Sequence, residues 1–278
     1  MKRISKILSI SVLLSVTLFA NSDQDIIEFE KNRISQNPNV KVNEITINTK
    51  KELPISGWNG YILDVKAVVQ DKEINAKDII FSDGKYISLD LLDLKSGKSL
   101  KDFITPNLTA KYYDKKKLIA GNHNAKDKIV VFSDPLCPFC MDYVPDVIKY
   151  VNKHSDSIAL YYYHFPLSRL HPAAEPLSKI MEVAKHKGIK DIELKVYEAD
   201  WDKYFTNKST DEKKILEAFN KEFKTNIKLE EISKEEIKNT LKTDISLGDD
   251  VMVQGTPTIF VNGVKDTEKN KYETLGKK

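Results

Sequence analysis

Two cysteines are the only thiols in this 278-residue chain, and they stand three apart in Cys137-Pro138-Phe139-Cys140. Thiol-disulfide exchange needs one thiolate to attack a disulfide sulfur and a second thiol close enough to resolve the mixed disulfide that forms. Two intervening residues meet that need. A structural staple does not fit, because a disulfide stabilises in proportion to the loop it closes and this loop is minimal. The competing reading is half of a zinc site, with His123, His154, His164, His171 or His186 completing it. None of these histidines forms a close ligand pair and no second CxxC is present, so neither a metal nor any other cofactor is expected.

The segments around the pair show how it would be positioned. Before it runs Lys128-Ile129-Val130-Val131-Phe132-Ser133-Asp134, an apolar stretch of the length and character of a buried parallel strand. After it, Tyr143, Val144, Val147, Ile148 and Val151 recur at three and four residues, the spacing of a helix with one buried face. The pair therefore falls at a helix start. There, free backbone N-H groups and the positive end of the dipole favour an anion at Cys137, while Cys140 lies one turn inside. Pro138 suits the first turn because its missing N-H costs nothing there. Cys137 reads as the nucleophile and Cys140 as the resolving thiol. Ile158 to Phe165 is a second strand, making a βαβ unit.

Elsewhere, Asp23 to Ile34 has near-helical apolar spacing, and the chain from Val40 to Leu94 reads as strands, the last from Tyr86 to Leu92. Residues 23–109 are expected to form an α+β unit of their own, and the lysine-rich stretch 110–127 a linker. Residues 128–278 are expected to form the catalytic domain, with a helical insertion over about 173–247. Ser233 and Glu236 have the spacing of a capping box for the last of these helices. Thr258-Ile259-Phe260-Val261 with Asn262-Gly263 predicts a strand entering a hairpin.

The first twenty-two residues differ in kind. Lys2, Arg3 and Lys6 precede an apolar run from Ile7 to Phe19, followed by the small residues Ala20 and Ser22. This is the layout of a signal peptide spanning 1–22, and it predicts export with the signal cleaved. The chain has 44 Lys and Arg against 41 Asp and Glu. Removing the three basic residues of the signal leaves a neutral mature protein, so no basic surface for nucleic acid is inferred.

With these residues in view, the chain resembles thioredoxin-superfamily proteins of the bacterial Dsb class. Gly255-Thr256-Pro257-Thr258-Ile259-Phe260-Val261-Asn262-Gly263 is similar to the family's cis-proline loop and its hairpin. By that resemblance Pro257 is the cis-proline, and Thr256 offers backbone hydrogen bonds to substrate. The segment from Val131 to Cys140 is most like the dimeric periplasmic disulfide isomerases DsbC and DsbG. Ile79 to Tyr86 and Asp93 to Lys98 look like their N-terminal dimerisation domain.

The resemblance implies a thioredoxin-like α/β domain with a helical insertion, preceded by a small cystatin-like α+β dimerisation domain. It implies a homodimer that isomerises or reduces disulfides of unfolded or misoxidised exported proteins in the periplasm, kept reduced by a membrane electron-transfer partner. Pro138 and Phe139 would tune the pair. Phe139 stands where the oxidase DsbA carries His, which suggests a less oxidising pair, and Val131 stands where thioredoxin and DsbA carry a buried carboxylate. His164-Phe165-Pro166-Leu167 and His171-Pro172 are closer to the oxidases. A dithiol oxidase is therefore the alternative, and a non-redox chaperone using the dimer cleft a further one.

Overall fold

The computed structural model describes residues 14–277, and the chain forms two compact units dividing between Ile104 and Thr105. The expected signal peptide lies outside the residues whose side chains are described.

In the first unit, helix α1 (Leu14–Ser35) accompanies four antiparallel strands: β1 (Val40–Glu52), β2 (Asn59–Val69), β3 (Lys72–Ser82) and the short β4 (Ile87–Ser88). The order is β1-β2-β3-β4. Ile26 of α1 packs with Ile45, Tyr61, Leu63, Val65 and Ile80 in one apolar core. Arg33 ties the helix to the sheet through Glu30 and Asp78. A one-turn helix, α2 (Lys101–Ile104), closes the unit, with Ile104 lying where a side chain at Gly60 would otherwise stand. The expected α+β make-up is present, but the stretch expected as a strand from Tyr86 to Leu92 joins the sheet only at Ile87 and Ser88, and Leu92 makes an isolated bridge to Ser99.

In the second unit a five-stranded sheet has the order β5-β7-β6-β8-β9, built from β5 (Leu118–Gly121), β6 (Asp127–Ser133), β7 (Ile158–His164), β8 (Thr258–Val261) and β9 (Val264–Lys265). β6 and β7 are parallel neighbours joined by α3 (Pro138–Lys153), the βαβ unit read from the sequence. β8 runs antiparallel to β6, and Asn262 and Gly263 turn with positive φ into β9.

The expected linker is corrected here. Within 110–127 the chain makes two 3-10 turns and β5, which pairs with β7, so this stretch belongs to the second unit. Gly121 shows why it cannot drift: φ is +77°, and a Cβ there would stand 1.9 Å from the Ile158 carbonyl oxygen. The lysines that suggested a linker hold the stretch in place, as Lys117 reaches Asp244 at 2.7 Å and Lys128 the His123 carbonyl at 2.7 Å.

Helices α4 (Ala174–His186), α5 (Ile192–Glu198), α6 (Glu212–Phe223), α7 (Leu229–Ile232) and α8 (Glu235–Asp250) fill the interval between β7 and β8. Ser233 does not cap α8; its hydroxyl donates back to the Leu229 carbonyl. The capping contact sits one helix earlier, where the Glu231 carboxylate accepts the Lys228 N-H.

The central sheet is covered on both faces. Ile129, Val131, Leu160 and Tyr162 face the core shared with α3, α4 and α5, while Val130, Phe132, Tyr161 and Tyr163 face a second core with Phe165 and Phe260. The tyrosine run of β7 therefore alternates between two buried faces, not between core and solvent.

Candidate active site

β6 delivers the cysteine pair to the end of the sheet. Cys137 is the N-cap of α3 and Pro138 its first residue, and the Cys137 carbonyl accepts the first helical bonds from Cys140 and Met141. Its conformation is extended (φ −76°, ψ 122°), so the sulfur stands at the helix mouth. Cys140, one turn in, is fully buried, and both cysteines are free thiols. Pro138 and Phe139 lie between them, the Phe139 ring 74% exposed.

The loop before β8 closes over the pair. The Thr256–Pro257 peptide is cis, and the Thr256 carbonyl oxygen lies 3.4 Å from the Cys137 sulfur. The Thr256 hydroxyl is buried and has no well-formed hydrogen bond, yet its closeness favours the charged form of both thiols. Of the six residues expected at the site, Pro138 and Phe139 stand between the thiols, and the cis Thr256–Pro257 peptide is brought to Cys137 although 119 positions separate Cys137 from Thr256.

The two thiols are driven apart in acidity. The Cys140 thiol donates to Cys137, and the backbone N-H groups of Cys140 and Phe139 add to this, outweighing burial. Cys137 is pulled down to about 5. Cys140 moves the other way, pushed up by burial and by the anion it supports. Both cysteines are buried, so at neutral pH the arrangement is a thiolate at the helix start backed by a thiol one turn deeper, the form that attacks a disulfide first and resolves it second.

Several residues of the site escaped the sequence reading. Asp134 is fully buried at the end of β6. One of its oxygens accepts the Leu136 N-H at 2.7 Å; the other accepts the Leu167 N-H at 2.8 Å and contacts His171 Nδ1 at 2.9 Å. It joins the cysteine loop to the loop after β7. His171 therefore holds Asp134, while His164 belongs to a separate buried cluster. Its Nε2 meets Glu182 at 3.2 Å, its N-H reaches Asp244, and Lys117 bridges the two carboxylates beside a cleft of about 760 Å³.

Ser133, Tyr197 and Tyr162 form a third unread group behind Cys140, with Ser133 Oγ and Tyr197 Oη 2.7 Å apart and the two tyrosine hydroxyls 2.9 Å apart. The available signal was Ser133 ending an otherwise apolar strand and Tyr162 inside it, but nothing local pointed to Tyr197.

A cleft of about 220 Å³ borders Pro138 and Leu136, walled by Met141, Trp201 and Phe205 with Asp200 and Asp202. This cleft lies on the α3 side of the pair and carries two acids. Among the described residues no group of three His, Cys, Asp or Glu side chains is arranged to hold a metal ion.

Three solved structures resemble parts of the chain. DsbA2 of Pseudomonas aeruginosa is 21% identical over 54% of this chain and 84% of its own, with a TM-score of 0.41. The catalytic domain of Proteus mirabilis ScsC is 19% identical over 56% and 82%, with a TM-score of 0.45. BdbD of Bacillus subtilis is 19% identical over 61% and 92%, with a TM-score of 0.45. Among curated proteins none matches the chain. Residues 114–278, more than half of the sequence and the whole of the cysteine site, match the thioredoxin family. The chain belongs to the thioredoxin family.

Proposed function

We propose that the protein is a Dsb-type thiol-disulfide oxidoreductase of exported proteins, working through Cys137 and Cys140 outside the cytoplasm. The observation that carries this is the contrast between the two thiols, a thiolate at a helix start beside the cis Thr256–Pro257 peptide and a neutral thiol one turn deeper. In the reaction the Cys137 thiolate attacks a substrate disulfide, releasing one substrate thiolate and leaving a mixed disulfide. A substrate thiol then displaces Cys137 to give a rearranged bond, or Cys140 displaces the substrate, which leaves reduced.

Isomerisation and reduction are the directions we favour, by a homodimer kept reduced by a membrane electron-transfer partner. The first unit supports the dimer. Among the described residues β1 pairs on one side only, with β2, and the stretch holding Tyr86, Leu89, Leu92 and Leu94 exposes its apolar side chains, Leu94 at 99%. Oxidation is the second reading, and a specific observation favours it. A thiolate held near 5 stabilises the dithiol form, which makes the corresponding disulfide more oxidising despite the absence of His at Phe139.

The test is the redox state of the pair in cells, trapped by acid quenching and alkylation with a mass-tagged reagent. A mostly reduced pair supports isomerase or reductase duty, and a mostly oxidised pair transfers the assignment to the oxidase. Cys137→Ser abolishes exchange under either; substrate protection that survives this change would instead identify a chaperone.

A further inference from the structure

Cys140 must ionise, at least in part, when it attacks the mixed disulfide, yet it is fully buried. On β6 Val131 is apolar, and the Asp134 carboxylate at the strand's end is engaged by Leu136, Leu167 and His171. Hydroxyls lie behind Cys140 instead. Ser133 Oγ lies near enough to the Cys140 thiol to favour its charged form, Tyr197 Oη lies 2.7 Å from Ser133 Oγ, and Tyr162 Oη lies 2.9 Å from Tyr197 Oη. These three residues come from β6, α5 and β7, and each is buried.

The end of this chain sets its direction. Among the described residues the Tyr162 hydroxyl has Tyr197 as its one hydrogen-bond partner. If the hydrogens ran away from Cys140, the Tyr162 hydrogen would be left without an acceptor in the core, a loss that buried donors avoid. Run the other way, every hydrogen is used: Tyr162 donates to Tyr197, Tyr197 to Ser133, Ser133 to Cys140, and Cys140 to the Cys137 thiolate. Each donor in such a file is polarised by the one behind it.

We propose that Ser133, Tyr197 and Tyr162 form a one-way donor chain that strengthens the Cys140 thiol as a donor to the Cys137 thiolate and then stabilises Cys140 as it becomes the attacking sulfur. Ser133 contacts the reacting thiol, while Tyr197 and Tyr162 act through it as positioning residues. The second role rests on the oxidoreductase function proposed above. In that step a Cys140–Cys137 bond forms and the Cys137–substrate bond breaks. The substrate sulfur leaves with the bonding electron pair and takes up the proton that Cys140 releases, so no outside oxidant or base is required.

The experiment uses the reduced full-length chain and its Tyr197→Phe variant. The rate of Cys137 alkylation is followed against pH, and the lifetime of a mixed disulfide between Cys137 and a small aromatic thiol is measured. Tyr197→Phe is expected to raise the alkylation midpoint by about 0.5 to 1 pH unit and to slow resolution by about three- to tenfold, the scale of one net hydrogen bond. Tyr143→Phe is the control, because the Tyr143 hydroxyl is buried with no hydrogen-bond partner, and both readings should match the parent. If Tyr197→Phe does not fold, Tyr162→Phe, which removes the outer link only, carries the test and should shift both quantities in the same direction by less. Unchanged midpoint and lifetime in a folded variant, or an equal shift in Tyr143→Phe, overturns the donor chain. A parent with a low midpoint that exchanges with no protein disulfide overturns the proposed function, and the midpoints of the variants still decide the chain.

Discussion

Asp134→Ala should be among the most damaging single changes in the second unit. The carboxylate is fully buried and makes three contacts, to the Leu136 N-H, the Leu167 N-H and His171 Nδ1. Alanine leaves the cysteine loop and the loop after β7 without their common partner. An abandoned buried donor costs about 1 to 3 kcal/mol, and breaking a buried charged network costs about 3 to 5 kcal/mol in total. Leu167 is only partly buried, close enough to solvent for water to replace part of what is lost, which sets the expected destabilisation at about 3 to 4 kcal/mol. Asp134→Asn keeps the shape and one good acceptor, so about half of that loss should return. The assay is urea unfolding of the reduced protein by fluorescence in a Trp58→Phe background, where Trp201, packed on Phe219 and Phe205, reports on the second unit alone. A loss below about 1 kcal/mol for Asp134→Ala would show that the two loops are held by other contacts and that the network reasoning is wrong.

Other outcomes follow from the same geometry. With Cys137 titrating near 5, its alkylation rate should fall only about tenfold between pH 7 and pH 4, against roughly a thousandfold for an ordinary thiol near 8.5; a thousandfold fall removes the thiolate argument. The folded value lies below the unfolded one, so the thiolate contributes stability to the reduced protein in full above about pH 9, and that contribution is lost as pH falls through about 5. Melting temperatures of reduced and oxidised protein should therefore converge between pH 7 and pH 4, and a constant gap would contradict this. Gly248→Ala in α8 would place a Cβ 2.6 Å from two ring carbons of Phe165. Overpacking of about 1 to 3 kcal/mol should exceed the helix-propensity gain of about 1 kcal/mol, lowering the melting temperature by a few degrees; an unchanged or higher value would mean Phe165 gives way freely.

How legible all this was in the sequence depended on how local each interaction is. Cys137 at a helix start follows from an apolar strand, a proline and a helical repeat within about twenty-five residues, and backbone geometry alone carries that inference. The Asn262-Gly263 hairpin was equally readable, since two consecutive positive-φ positions call for those residue types. The lysine-rich stretch 110–127 misled for the converse reason. Its composition describes a solvated segment, but Lys117 and Lys128 find their partners at Asp244 and the His123 carbonyl, and Gly121 is fixed by a strand nearly forty residues away.

By itself the sequence determined the chemistry available to this protein: a two-thiol exchange centre at the mouth of a helix, placed there by strand and helix periodicities that no distant contact needs to supply. Only the tertiary structure decided how unequal the two thiols become. Burial pushes Cys140 up, while the Cys140 thiol and the side chain of Thr256, 119 positions along the chain, pull Cys137 down. Hydrogen bonds and desolvation act over a few ångströms of space, and a sequence records separation along the chain, so the acidity of Cys137 had to wait for the fold.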